Sequence, residues 1–114
     1  MTLNQQEIDG GWLIELAGDA DLAALPTLQN ALRSRREAET PWLIVDFSGV
    51  TFVNTPAWAA LIEYYQWTQR AGTRLALAGL QGRALLSFET VQLGAFLAHH
   101  PSVAEAIHAI RVRD

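Results

Sequence analysis

Few side chains in this sequence are of a type and spacing that could do chemistry. Thr55 sits in Asn54-Thr55-Pro56-Ala57, immediately before a long helical stretch. A phosphate on a hydroxyl at such a place would meet the free N–H groups and the positive dipole end of the helix. The same hydroxyl could instead cap the helix, a contribution of roughly 1 kcal/mol. Asp46 closes an apolar run, and Asp19 and Asp21 could approach it if their strand ends converge, which would place acids where α/β sheets carry sites. The lysine and threonine pattern that would complete a magnesium-dependent phosphoacceptor does not accompany them. His99, His100 and His108 have no spacing that suggests a metal cage and read as surface residues. No Gly-x-Gly-x-x-Gly or Gly-Lys-Ser/Thr loop is present to cradle a nucleotide, so neither a cofactor nor a metal is expected.

Composition narrows the classes further. With 114 residues, 50% of them hydrophobic and 18% charged, the chain reads as one packed domain spanning residues 1–114. A net charge of -4 offers no footprint for nucleic acid or for an anionic membrane surface. Cysteine is absent, which removes disulfides, thiolate nucleophiles and Cys-type zinc sites. The first residues have neither a basic start nor an apolar run, so they do not read as a signal peptide. No segment approaches the roughly 20 apolar residues of a membrane span. The expectation is a soluble, cytoplasmic protein without direct membrane insertion, its pairing with a second copy left open.

The elements that must position these residues follow from pattern. Gly10-Gly11 marks the turn of a hairpin between a strand near residues 3–8 and one at 12–17. Gly18-Asp19-Ala20-Asp21 reads as a turn in which Asp21 caps a helix running to about Glu37, with Leu22, Leu25, Leu28 and Leu32 along one face and Pro26 in its first turn. After Pro41, the near-continuous apolar run from Trp42 to Phe47 has the character of a central strand covered on both faces. A Ser48-Gly49 turn then leads into Val50–Val53. Thr55 at the N-cap, Pro56 at the first helical position and Gly72 past the end bound a helix to about Arg70. The strand at 73–78 completes a β-α-β unit over residues 42–78, whose strands should run parallel. A short helix at about 83–90, a weak strand at Leu93–Leu97 and a helix opened by Pro101, with Val103, Ala106, Ile107 and Ile110 toward the sheet, finish the chain.

The predicted fold is thus α/β: a mixed, mostly parallel central sheet of four to five strands with about four helices. In the helix after Thr55, the periodicity of Trp58, Leu61, Ile62 and Tyr65 reads as core. Ala60, Tyr64 and Trp67 lie on a neighbouring face, which either packs on an adjacent helix or forms an exposed aromatic docking patch.

The segment Leu43 to Leu61 resembles the central motif of STAS domains, a family that includes the bacterial anti-sigma-factor antagonists. In that family an apolar strand ending in Asp and a small turn leads to a second apolar stretch, then to Asp-Ser-Ser-Gly or Asp-Thr-Ala-Gly opening a helix. Asn54 falls on the Asp, Thr55 on the regulatory Ser or Thr, Pro56 on the next small residue and Ala57 on the Gly. Gly18-Asp19-Ala20-Asp21 looks like the family's Gly-Glu-Leu-Asp turn, Gly72 to Gly79 like its fourth strand, and Gly94 to Ile110 like its closing strand and helix. Asn54 departs from the acid, and Pro56-Ala57 from the flexible pair.

The resemblance implies a single STAS-like domain without enzymatic activity that docks on a partner protein in a bacterial partner-switching pathway. Thr55 would be the candidate phosphoacceptor and Asp21, Asn54, Thr55, Pro56, Ala57 and Ala59 the partner-binding residues. The implied partner is a kinase-type anti-sigma factor or related regulator. The alternative it implies is a STAS subunit of a lipid ABC-transport complex that binds the transporter ATPase. A small enzyme using Asp46 or Asp21 is a third class, with no complete constellation behind it.

Overall fold

A computed structural model describes residues 1–112. The chain opens with β1 (Thr2–Ile8) and β2 (Gly11–Ala20), an antiparallel hairpin. Asp9 (φ 48°) and Gly10 (φ 88°) are both left-handed, the conformation of a two-residue turn whose twist matches that of the flanking strands. The turn is therefore Asp9-Gly10 and not Gly10-Gly11. Gly11 already belongs to β2, and a Cβ there would run into the indole of Trp42.

β2 continues through Gly18, Asp19 and Ala20 of the expected Gly18–Asp21 turn and ends before Asp21, and β3 runs unbroken from Trp42 to Val53 through the expected Ser48-Gly49 turn. The two strands pair in parallel as far as Ala20 and Val53. Two register shifts, between Glu15 and Ala17 and between Gly18 and Asp19, each place one extra residue on β3. The glycines serve these bulges: Gly18 adopts φ +89°, and a Cβ on Gly49 would lie 3.0 Å from that of Ala17. What reads locally as a turn is a bulge, because the neighbouring strand holds the chain in line.

α1 (Leu25–Glu37) follows a short 3-10 turn (Leu22–Ala24); then come β3, α2 (Thr55–Ala71), β4 (Arg74–Ala78), α3 (Gly82–Thr90), β5 (Ala98–His100) and α4 (Val103–Val112). The sheet order is β1-β2-β3-β4-β5, with β1 antiparallel and the rest parallel. The weak strand lies at 98–100 and not at 93–97. Leu93–Ala95 forms a 3-10 turn, and Leu97 donates its N–H to the carbonyl of Leu93 at 2.9 Å. This hydrogen bond sets Leu93 and Leu97 one helical turn apart, and both are buried in the core.

β3 is central, as its apolar run predicts: Leu43, Ile44, Val45 and Phe47 are all fully buried. On one face Ile14, Leu16, Leu43, Val45, Phe47 and Leu77 pack with α1, α2 and α3. On the other, Leu13, Ile44, Ala76 and Ala78 meet Ala106 and Ile110 of α4. Leu28 and Leu32 face the core of α1 as expected, but Leu22 is 68% exposed, because the 3-10 turn changes the helical phase before Pro26.

Candidate functional site

Ala20 pairs with Val53, so the next residues, Asp21 and Asn54, leave the sheet side by side. The Asn54 N–H donates to the carbonyl of Ala20 at 3.0 Å and ties the two exits together. Each exit is then capped. Asp21, in extended backbone, accepts on Oδ1 from the N–H of Ala24 at 3.0 Å and so caps the 3-10 turn. Asn54 (φ -85°, ψ 168°) accepts on Oδ1 from the N–H of Ala57 at 2.9 Å and caps α2.

The cap of α2 is therefore Asn54, and the expected capping role of Thr55 is corrected. A capping side chain must come from an extended residue to reach the N–H three positions on. Thr55 is already helical and exposed, with its hydroxyl outside the capping interaction. The first turn also holds fewer free donors than a helix terminus usually does. Pro56 has no N–H, Ala57 donates to Asn54 Oδ1, and Trp58 donates to the Asn54 carbonyl at 3.2 Å. The N–H of Thr55 itself is what remains.

Around this corner Pro56 and Ala59 are exposed, as is Asp21. Ala57 is 1% exposed, so the fold takes it out of the expected docking surface and into the core. Leu22, directly after Asp21, adds an exposed apolar side chain that the helical reading of residues 21–37 hid. Its signal was Pro26, which starts α1 later and leaves Asp21 to cap a turn of its own.

Trp58 roots the first turn of α2. It stacks on Phe47 (centroids 5.5 Å apart), tilts against Phe88 at 5.6 Å, and donates from Nε1 to Ser87 Oγ at 2.9 Å. The neighbouring face of α2 packs on a helix and forms no docking patch. Ala60 and Tyr64 are buried, Tyr64 lies 5.3 Å from Trp67, and the Arg36 guanidinium of α1 stands 5.8 Å over the Trp67 ring. Burial pushes the Tyr64 hydroxyl up to about 12, with the Arg35 charge opposing the rise.

The acids weighed as a magnesium site are engaged separately. Asp46 Oδ1 accepts from the Ser48 N–H at 2.9 Å, and Asp19 accepts from the Thr51 hydroxyl. Among the described residues no three His, Cys, Asp or Glu side chains gather as metal ligands. The His99 ring lies edge-on to Phe88 at 4.8 Å. No helix among the described residues is long and apolar enough to cross a membrane.

Known structures carry the same architecture. An anti-sigma factor antagonist from Mycobacterium paratuberculosis matches with a TM-score of 0.90 at 20% identity, covering 96% of this chain and 93% of that one. The Bacillus cell fate determinant SpoIIAA in its phosphorylated form matches with a TM-score of 0.74 at 17% identity, covering 98% and 100%. A sulfate transporter family protein from Wolinella succinogenes matches with a TM-score of 0.73 at 17% identity, covering 88% and 84%. At these identities the likeness is one of fold. The comparison with curated proteins returns no match. The family model of the STAS domain matches residues 2–106, nearly the whole chain that builds the sheet and its capped exits, and the protein belongs to the STAS domain family.

Proposed function

We propose that this chain is a non-enzymatic, cytoplasmic docking domain of the anti-sigma-factor-antagonist kind, and that it binds its partner through the corner formed by Asp21, Leu22, Asn54, Thr55, Pro56 and Ala59. The observation that carries this reading is the position of Thr55: exposed, on the rigid first turn of α2, with its hydroxyl released from capping by Asn54. A phosphate there adds about two negative charges. Because Pro56 and Asn54 leave the turn few N–H groups to neutralise them, the charge projects outward beside Asp21 and repels a surface that fits the neutral form. The partner of this reading is a kinase-type anti-sigma factor or related regulator, which would also catalyse transfer of the γ-phosphoryl group of ATP to the Thr55 hydroxyl, with ADP leaving and the hydroxyl proton released.

The same shortage of donors favours a second reading, docking without phosphorylation, as in a STAS subunit seated on the ATPase of a lipid transporter. Purified candidates of both kinds, a kinase-type anti-sigma factor and a transporter ATPase, should be titrated against wild type, Thr55→Ala and Thr55→Glu, with circular dichroism as the control for folding. Switching predicts that Thr55→Ala binds the kinase-type partner within about threefold of wild type while Thr55→Glu loses at least tenfold, about 1.4 kcal/mol. Equal binding of folded wild type and Thr55→Glu to the kinase-type partner would sink the charge switch. Binding of the ATPase alone would favour the second reading.

A further inference from the structure

The two edges of the sheet are protected to different degrees. β5 is three residues long and is followed by Pro101, so little backbone is open to another strand. β1 has seven residues, TLNQQEI, paired with β2 without a bulge. It contains no Pro or Lys and one charged residue, Glu7. Among the described residues nothing pairs with its other side. A long, regular edge without such guards is a template for a further strand.

The hairpin sets which groups that edge offers. With a two-residue turn at Asp9-Gly10, the flanking pair Ile8 and Gly11 exchanges hydrogen bonds, and bonding alternates from there. Thr2, Asn4, Gln6 and Ile8 thus bond to β2. The N–H and C=O groups of Leu3, Gln5 and Glu7 point outward.

From this edge we infer that β1 pairs antiparallel with β1 of a second copy about a two-fold axis through Gln5, joining two five-stranded sheets into one. This register alone pairs all of β1. Gln5 faces Gln5 of the second copy, and Leu3 faces its Glu7, each pair exchanging both N–H···O bonds. Asn4 faces Gln6, and Thr2 faces Ile8. The carboxylate of Glu7 lies opposite an apolar residue in this arrangement, whereas an axis moved to Glu7 would set two carboxylates together. Leu3 and Ile8, packed on opposite faces of their own core, hold β1 in place on β2 and so keep the outward phase fixed. The contact is isologous, as two-fold pairing requires.

The phase makes the test specific. Gln5→Pro removes an N–H that β2 does not use, at an edge position where proline is tolerated. Sedimentation velocity over a concentration series should show a reversible dimer for the wild type and its loss in Gln5→Pro, with the thermal midpoint unchanged when both are compared at a concentration where the wild type is monomeric. The absence of native cysteine gives a second readout that needs no proline. In Gln5→Cys the two Cα atoms would face each other at about 5.5 Å, within disulfide reach, so mild oxidation should yield a covalent dimer. Glu7→Cys, its copies about 14 Å apart along the strands by the rise per residue, should remain monomeric on a denaturing gel.

A wild type that is monomeric at every soluble concentration overturns the proposal. So does a dimer that Gln5→Pro leaves intact, or cross-linking of Glu7→Cys as fast as Gln5→Cys. If Gln5→Pro lowers the thermal midpoint, the two cysteine variants decide.

Discussion

The N-terminal end of α2 presents Thr55, Pro56 and Ala59 to solvent around an uncharged cap, while the same helix buries Trp58, Leu61, Tyr64 and Thr68. The buried portion carries the aromatic contacts and fixes the axis of the helix. The exposed side chains of Thr55 and Ala59 add little to stability, so these positions can accept a substitution or a charge without unfolding the domain. Division of labour within one helix is what a docking surface needs: the presented groups are held rigidly by contacts that a partner never touches.

Cutting the root of α2 tests this comparison most severely. Trp58→Ala removes the stack on Phe47, the contact with Phe88 and the bond to Ser87, and should cost about 3–5 kcal/mol in urea unfolding. A loss below about 1 kcal/mol would mean that the helix is not anchored there.

Tyr64 tests the deep half through pH. Its folded-state value, pushed up to about 12, lies above the unfolded value of 10.0. The unfolded state therefore releases the phenolic proton first, and the stability this group contributes is complete below pH 10 and lost as pH rises from 10 toward 12. Thermal unfolding followed across that window should fall more steeply for wild type than for Tyr64→Phe. Parallel curves would place the hydroxyl in water.

At the exposed end the effects shrink. Asn54→Ala leaves the Ala57 N–H without its acceptor and should cost about 1 kcal/mol, whereas Asn54→Asp should retain the cap and gain from the helix dipole. Thr55→Ala should change stability by less than about 0.5 kcal/mol, since its hydroxyl caps nothing. Reversed magnitudes for Asn54→Ala and Thr55→Ala would return the capping role to Thr55.

Much was legible from residue types alone. The apolar run from Trp42 to Phe47 became the central strand because only a strand covered on both faces can bury Leu43, Ile44 and Val45 in succession. Pro56 and Gly72 bounded α2 because their backbone restrictions are local. The ordered motifs from Gly18 to Ile110 were enough to indicate the family. Tertiary structure decided what depends on a neighbouring chain segment. Ser48-Gly49 and Gly18 lie within strands because β2 and β3 hold each other in line through two bulges. Leu93–Ala95 forms a 3-10 turn, and Leu93 and Leu97 join the buried cluster that holds Leu77 and Phe88, partners supplied by β4 and α3 that the local pattern does not contain. The cap passed from Thr55 to Asn54 by a single residue, a shift set by where β3 parts from β2: the last residue still bonded to Ala20 keeps extended backbone, and a side chain on extended backbone is the one that can cap.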